Sequence, residues 1–373
     1  MNDIPIKPDA ADLATAVQVA DREQSEGRFE NALAIYKTVL AQIPAYVDGQ
    51  AKMARVLFCL RRWDEAWDAF NIRFRLMDVP PQVNARNRDG SPYPLLRSSR
   101  PPLPNKLLVM SEQGMGDTIQ FARFLPRLIV RGVEVQVVVP QKLFGLLRTL
   151  DPSPPLLAGE VPSSVNNVEN WTTMMDLPRL LELKEEDYLA HEPYLRADPV
   201  RVARWRAWLD DVTKGRKGPV IAFAWRGNPQ HKLDPKRSAQ LEDFAALAAI
   251  PDVTLVCLQI NATDEEIAAC SFKDKIVRPD PEFDSGLDAF LDSAALLQSV
   301  DRLVCVDTSL VHLAGALHCP VDMMITHSWP DWRWLDIDHE NVWYPTLKIW
   351  RQKRDEENYA ALVGRIADSL AKA

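Results

Sequence analysis

Val304-Cys305-Val306-Asp307-Thr308-Ser309-Leu310-Val311-His312-Leu313-Ala314-Gly315-Ala316-Leu317 reads as a buried strand, an abrupt polar turn and a short helix. Residues 303–306 form the continuous apolar, β-prone run of a strand covered on both faces. Asp307, Thr308 and Ser309 are all residues that cap helix N-termini. Pro320 stops the small-residue helix before another apolar run at 321–325. A strand-to-helix turn in an α/β sheet aims free N–H groups into the crevice at the strand ends, where phosphates bind. The same stretch also fits an ordinary capped turn.

The pattern continues outward. Strands are predicted at 220–225 and 254–258, with helices at 200–212, 239–249, 287–298 and 310–317. Upstream, strands at 107–110, 133–139, 156–157 and 165–168 alternate with helices at 118–130, 141–150 and a short one within 174–183. Such alternation predicts parallel sheets with helices on both faces. The tryptophan-rich residues 328–352 look irregular, and 356–371 is an amphipathic helix. The fold class is therefore α/β, with two successive Rossmann-like domains, 106–198 and 199–352, and a C-terminal helix in 353–373. The crevice between two such domains, at the carboxyl ends of both sheets, is where small ligands bind.

Residues 1–77 differ. Residues 1–11 read as a loose leader, and 12–77 as helices with an internal repeat. Ala20 recurs as Ala54, Phe29 as Trp63, Glu30 as Asp64, Ala32 as Ala66 and Tyr36 as Phe70, each 34 residues on. That period resembles the tetratricopeptide repeat. Gly27-Arg28 and Arg61-Arg62 are the expected turns, and Pro44 closes the first repeat. Two repeats are fewer than a free-standing solenoid needs, so they are expected to lean on other chain. Residues 78–105 are rich in proline and read as an extended linker or surface wrap.

The bulk properties exclude several classes. A net charge of −8 argues against a dominant nucleic-acid surface. No apolar run reaches membrane-span length, and the N-terminus lacks the basic and apolar regions of a signal peptide. The cysteines Cys59, Cys257, Cys270, Cys305 and Cys319 form no CxxC pair, so they are expected to be reduced core residues of a cytoplasmic protein. There is no GxGxxG, Walker A or GxSxG sequence, and the histidines have no zinc-site spacing.

Three turns could carry chemistry. Gly114-Met115-Gly116-Asp117-Thr118 follows the first strand. Its glycines let backbone approach a ligand, and the helix dipole favours an ionised Asp117. Asp117 is a candidate general base or a simple cap. Trp225-Arg226-Gly227-Asn228-Pro229-Gln230-His231-Lys232, ending near Lys236-Arg237, is a cationic turn suited to anion capture or to solvent. In the third, Thr308 and Ser309 offer hydroxyls beside helix N–H groups, and His312 lies one turn further on the same face.

Together these turns resemble a family. Asp307-Thr308-Ser309-Leu310-Val311-His312-Leu313-Ala314 resembles the D-[TS]-x-x-x-H-x-A signature of heptosyltransferase-like GT-B glycosyltransferases. Gly116-Asp117 matches the N-terminal G-D turn of the same group. Ser111 to Arg123, Trp225-Arg226-Gly227-Asn228-Pro229, His231-Lys232, Pro330-Asp331-Trp332-Arg333-Trp334 and Trp343-Tyr344-Pro345 resemble bacterial proteins that fuse tetratricopeptide repeats to such a module.

The resemblance implies a GT-B fold whose C-terminal helix crosses back to the first domain. It implies metal-independent transfer of a sugar from a nucleotide-sugar donor, with no cofactor, to a hydroxyl on a protein or glycan. Thr308, Ser309 and their helix would hold the diphosphate, Asp307 would order the turn, and Lys232 would neutralise the departing nucleotide. Asp117 would be the base, and Gln259 would lie in the donor pocket, where some heptosyltransferases carry a carboxylate. Ser309 stands where those enzymes have glycine. The repeats would dock the acceptor or join two subunits of a homo-oligomer. A non-catalytic scaffold and a two-domain epimerase are the alternatives.

Overall fold

A computed structural model describes residues 10–76, 91–96, 102–159, 165, 167–213, 215, 217–228, 234–287, 289–327, 331–334 and 341–372. The chain forms two compact units. One combines Met1–Gln82 with Pro178–Asp187 and Asp331–Glu340; the other holds Val83–Leu177, Tyr188–Pro330 and Asn341–Ala373.

The first unit is helical: α1 (Ala10–Ser25), α2 (Phe29–Gln42), α3 (Val47–Cys59), α4 (Trp63–Phe70) and α5 (Arg73–Leu76). The 34-residue spacing explains its packing. Ala20, Ala32, Ala54 and Ala66 are all buried to 1% exposure or less, because helices cross closely only over small side chains. The two predicted turns are present, with Gly27 and Arg61 at positive φ. What covers the aromatic face is remote in sequence. Trp332 stacks on Phe58 with ring centroids 4.2 Å apart and packs edge-on to Trp67. Glu185 accepts from Trp63 Nε1 at 2.8 Å and pairs with Arg61 at 2.5 Å. Residues 178–187 and 331–334 therefore belong with the helices, not with the two α/β domains to which the sequence assigned them. Two repeats leave an apolar face open, and these segments close it.

The second unit holds two parallel sheets. In the first, β1 (Lys106–Met110), β2 (Glu134–Val139), β3 (Leu156–Ala158) and β4 (Asn170–Thr173) lie in the order β3-β2-β1-β4. In the second, β5 (Val220–Ala224), β6 (Thr254–Cys257), β7 (Ile276–Val277), β8 (Arg302–Val306), β9 (Val321–Ile325) and β10 (Leu347–Arg351) lie in the order β10-β9-β8-β5-β6-β7. Renumbered from its first strand, the second sheet has the 3-2-1-4-5-6 order of the dinucleotide-binding fold, and the first has its 3-2-1-4 portion. The expected GT-B-like pair of Rossmann-like sheets, preceded in sequence by helices, is thus present.

The connecting helices are α6 (Met115–Ala122), α7 (Leu125–Val130), α8 (Phe144–Leu147), α9 (Leu177–Leu180), α10 (Pro199–Thr213), α11 (Asp234–Arg237), α12 (Ala245–Ala248), α13 (Asp264–Ala269), α14 (Leu291–Leu297), α15 (Ser309–Ala316) and α16 (Ala360–Leu370).

Four expectations are corrected. The single helix at 118–130 is two, because Pro126 in the first turn of α7 has no N–H to continue α6. The strand expected at 165–168 forms instead at β4; Val165 and Val168 fill a small core with Tyr93 and Trp171. The irregular tryptophan-rich stretch contains β10, an edge strand parallel to β9. Finally, α16 does not cross to the first sheet. Its apolar stripe, Leu362, Val363 and Ile366, is buried with Phe223, Phe244 and Leu247 on the second. The proline-rich region, where described, wraps β4: Leu96 N–H donates to Trp171 O at 2.7 Å.

Candidate functional site

Each sheet has one point where the chain reverses its direction of growth. In the first it lies between β1 and β4, in the second between β5 and β8. Loops leaving those strands diverge and open a crevice at the carboxyl edge. The turn from β1 into α6 carries Gly114, Gly116, Asp117 and Thr118. The turn from β8 into α15 carries Asp307, Thr308, Ser309 and His312. The turn after β5 begins with Trp225 and Arg226. All three predicted turns therefore stand at switch points.

Two of them touch. The first turns of α6 and α15 approach so closely that a Cβ on Gly116 would lie 2.9 Å from His312 Cδ2 and 3.3 Å from Ser309 Cα. Two helix N-termini thus converge, each with a partial positive charge and unpaired N–H groups. Like ends repel, so the arrangement favours negative charge beside it. Asp117 supplies some: from the third position of α6 its Oδ2 accepts the N–H of the N-cap residue Gly114 at 2.8 Å. Thr118 Oγ1 donates to Gly114 O at 3.2 Å. On α15, Thr308 is extended and its Oγ1 accepts Leu310 N–H at 3.3 Å. Ser309 opens the helix without a positive φ, so its side chain is accommodated without backbone strain. Asp307 lies below them; after burial, its charge is the next influence raising the Cys305 thiol and the Tyr359 phenol.

His312 is 5% exposed. Its Nδ1 is 3.0 Å from Tyr344 Oη, and its opposite edge faces Gly116. Beyond Tyr344 lie Tyr194 Oη at 3.4 Å and then Arg123, whose Nη2 donates to Tyr194 Oη at 3.3 Å. Arg123 is buried, and its remaining bonds go to the carbonyls of Gln120, Tyr188 and Trp343 at 2.8–3.0 Å. Burial raises the Tyr194 phenol above its ordinary range, against the pull of Arg123.

The turn after β5 is held by bonds within the chain. Trp225 is a core residue, 1% exposed, whose Nε1 donates to Glu266 at 3.0 Å. Arg226 makes a two-armed pair with the same carboxylate, at 2.6 and 2.8 Å. Burial would raise Glu266, but Arg226 outweighs it and holds the carboxyl below its usual range. Gln259 Oε1 accepts the N–H groups of Trp225 and Arg226 at 3.1 and 2.9 Å. Arg226 and Gln259 therefore fix the turn; the guanidinium is neutralised, not presented to an anion. Asn228 is exposed. His231 and Lys232 lie outside the described residues.

Sequence reading missed Glu266, Tyr194, Tyr344 and Arg123. Glu266 gave a signal in Thr263-Asp264-Glu265-Glu266, a helix-start sequence in which Thr263 Oγ1 accepts Glu266 N–H and caps α13, but not its partner 40 residues away. Asp234 was also missed: it is 5% exposed and accepts Gly227 N–H at 3.1 Å. A cavity of about 660 Å³ lies elsewhere, lined by Glu192, Arg196, Arg206 and Gln298; none of the predicted turns borders it.

No protein-family model matches the chain. It is 28% identical over 352 residues to Protein FlbA of Caulobacter vibrioides, covering 86% of this chain and 54% of that protein. The chain thus spans about half the length of the curated relative it matches. Among solved structures, it is similar to a family 9 glycosyl transferase from Veillonella parvula (TM-score 0.49, 9% identity, 72% and 97% of the two chains). It is also similar to ADP-heptose lps heptosyltransferase II of E. coli (0.47, 13%, 72% and 98%). A third is the dodecameric iron-containing heptosyltransferase TibC (0.45, 13%, 79% of each).

Proposed function

We propose that the chain is a glycosyltransferase that moves a sugar from a nucleotide-sugar donor to a hydroxyl on a protein or glycan. One observation carries this: two helix N-termini, each at the switch point of its sheet, converge at Gly116. Such a place suits a diphosphate, which accepts from backbone N–H groups and compensates both dipoles. Thr308, Ser309 and the first turn of α15 hold the diphosphate in this reading. Lys232 and His231 contribute from the turn after β5.

The acceptor oxygen attacks the anomeric carbon while the bond from that carbon to the phosphate oxygen breaks. Asp117 takes the hydroxyl proton, and the nucleoside diphosphate leaves. Helix N–H groups stabilise the charge that grows on the leaving oxygen. The reading places no metal or cofactor in the step. It places the protein in the cytoplasm, in keeping with five buried cysteines in the free state. The repeats dock the acceptor or a second copy.

A thermal-shift panel of nucleoside diphosphates tests the donor site. Stabilisation by at least one of them is expected, about 2.7 kcal/mol at a hundred times its Kd. No shift at millimolar concentration removes the donor site. For the base, Asp117→Asn keeps an oxygen for the Gly114 cap but removes basicity. It is expected to lower kcat about 10²- to 10⁴-fold while leaving nucleotide binding unchanged. Full activity in that variant excludes Asp117 as the base. One observation favours the scaffold reading: Arg226 and an Asp117 oxygen are already engaged within the chain. The nucleotide panel separates the two.

A further inference from the structure

The cavity of about 660 Å³ is in the size range of sites that hold a small molecule. Its position follows from the helix ends that form it. Gln298 and Leu317 are the C-terminal caps of α14 and α15, and those helices lead into β8 and β9. The cavity therefore lies at the amino edge of the second sheet, whereas the turns that begin with Asp307 and with Trp225 leave its carboxyl edge. Its other walls are residues 192–197, on the segment that joins the two sheets, and the first turns of α10. That segment is tied to the same helix end: the N–H groups of Tyr194 and Leu195 donate to Ala316 O at 3.1 and 3.4 Å. Gln298 Nε2 donates to Leu317 O at 2.8 Å, so these carbonyls are satisfied from within the chain.

The lining has an apolar floor and a charged rim. Leu195 and Leu317 are buried and Val202 is half-buried, while Glu192, Arg196 and Arg206 are exposed. The neighbouring arginines of α10 are neutralised: Arg201 pairs with Asp292 and Arg204 with Asp280, each at 2.8 Å. Arg206 is not. Among the described residues it has no carboxylate partner, and its Nη2 makes one long bond, 3.4 Å, to Gln298 O. Arg196 meets Asp151 at 3.6 Å, past hydrogen-bond distance, with both side chains largely exposed, and such a contact is worth little. Two guanidiniums thus have donors to offer above an apolar surface.

We propose that this cavity is a ligand site separate from the crevice at the carboxyl edges, and that it takes an aliphatic carboxylate, with the anionic head on Arg196 and Arg206 and the chain over Leu195, Val202 and Leu317. A guanidinium holds a carboxylate through paired N–H groups. Two arginines against Glu192 leave the rim one net positive charge, which a single carboxylate balances. A doubly charged phosphate monoester would leave an excess beside Glu192 and beside two helix C-termini, whose dipole ends are negative. No aromatic residue lines the cavity, so no ring is there to stack on a nucleobase or a sugar. The inference does not rest on the glycosyltransferase reading, since no residue of the cavity belongs to the three turns.

Isothermal titration calorimetry of the full chain with octanoate tests the site. Saturable binding of one octanoate per chain is expected. Acetate, which lacks the chain, and octylammonium, which reverses the charge, should each bind at least about tenfold more weakly. Arg206→Gln is expected to lower octanoate affinity about tenfold, the loss of one charged hydrogen-bonding partner. Ala203→Trp fills the cavity from its rim and should abolish binding. Arg204→Gln removes a cation that does not line the cavity and should leave the affinity within about twofold. All three positions are exposed on α10, so the variants are expected to fold. Octanoate binding that survives both Arg206→Gln and Ala203→Trp puts the ligand elsewhere and overturns the site, as does no saturable binding to the wild type at millimolar concentration. Octylammonium that binds as tightly as octanoate overturns the carboxylate. A nucleotide panel that fails while octanoate binds removes the transferase and leaves the cavity site standing; the reverse result removes the cavity site alone.

Discussion

Gly116 does not have a left-handed φ, so what forbids a side chain there is its neighbours and not its backbone. A Cβ would press on His312 and on the backbone of Ser309. Backbone cannot rotate away as a flexible side chain can. Gly116→Ala is therefore expected to cost about 1–3 kcal/mol of stability, the usual range for overpacking, and to part the two helix N-termini. Chemical denaturation reads the first effect; loss of the nucleotide shift reads the second. Glu266 is a residue-scale test of another kind. Burial raises its pKa, but the Arg226 bonds bring the net value below the ordinary 4.5. A depressed folded pKa means that its stabilisation is present above about 4.5 and is lost as pH falls through the lower folded value. Midpoints of unfolding between about pH 3 and 6 should drop for the wild type and change less for Glu266→Gln. Parallel curves would show that the pair does not matter to stability.

At the scale of elements, α15 was the most legible part of the chain, because its start is written in local chemistry. Thr308→Ala removes the oxygen that accepts Leu310 N–H and is expected to cost about 1 kcal/mol, while Thr308→Ser should cost a few tenths. Equal losses would show that the methyl group, not the cap, matters. The apolar runs that became β1, β5, β8 and β9 were equally legible, since parallel strands buried on both faces need no partner to be recognised. Edges were not. β10 carries Lys348 and Arg351 among its five residues, so no continuous apolar run marks it. β7 has two residues and exists because β6 offers an edge. The site was legible as turns and not as partnerships. Asp117 and Thr308 could be read from their own neighbours in sequence. The pairing of Arg226 with Glu266, and the bond from His312 to Tyr344, join residues 40 and 32 apart and are fixed only by packing. The direction of α16 was misread because it came from the family resemblance. Its stripe of Leu362, Val363 and Ile366 specifies a buried face but not which sheet receives it.

At the scale of the whole molecule, the helical unit is not continuous in sequence. Repeat helices gain stability by stacking on neighbours, and two repeats have too few. Here the missing neighbour is made of Trp332 and residues 178–187. Trp332 is 9% exposed and in ring contact with Phe58, Trp67 and Phe70. Removing it should cost about 3–5 kcal/mol, as for other large aromatic truncations. That loss should fall on the helical unit, because the two sheets have cores of their own. In native-state hydrogen exchange of Trp332→Ala, amides of α3 and α4 are expected to lose protection while those of β5 and β8 keep it. A fragment of residues 1–82 lacks the closing segments altogether and is expected to show little helical circular dichroism near 25 °C. A cooperatively folded fragment, or uniform loss of protection across β5 and β8, would mean that the helices do not depend on segments borrowed from the rest of the chain.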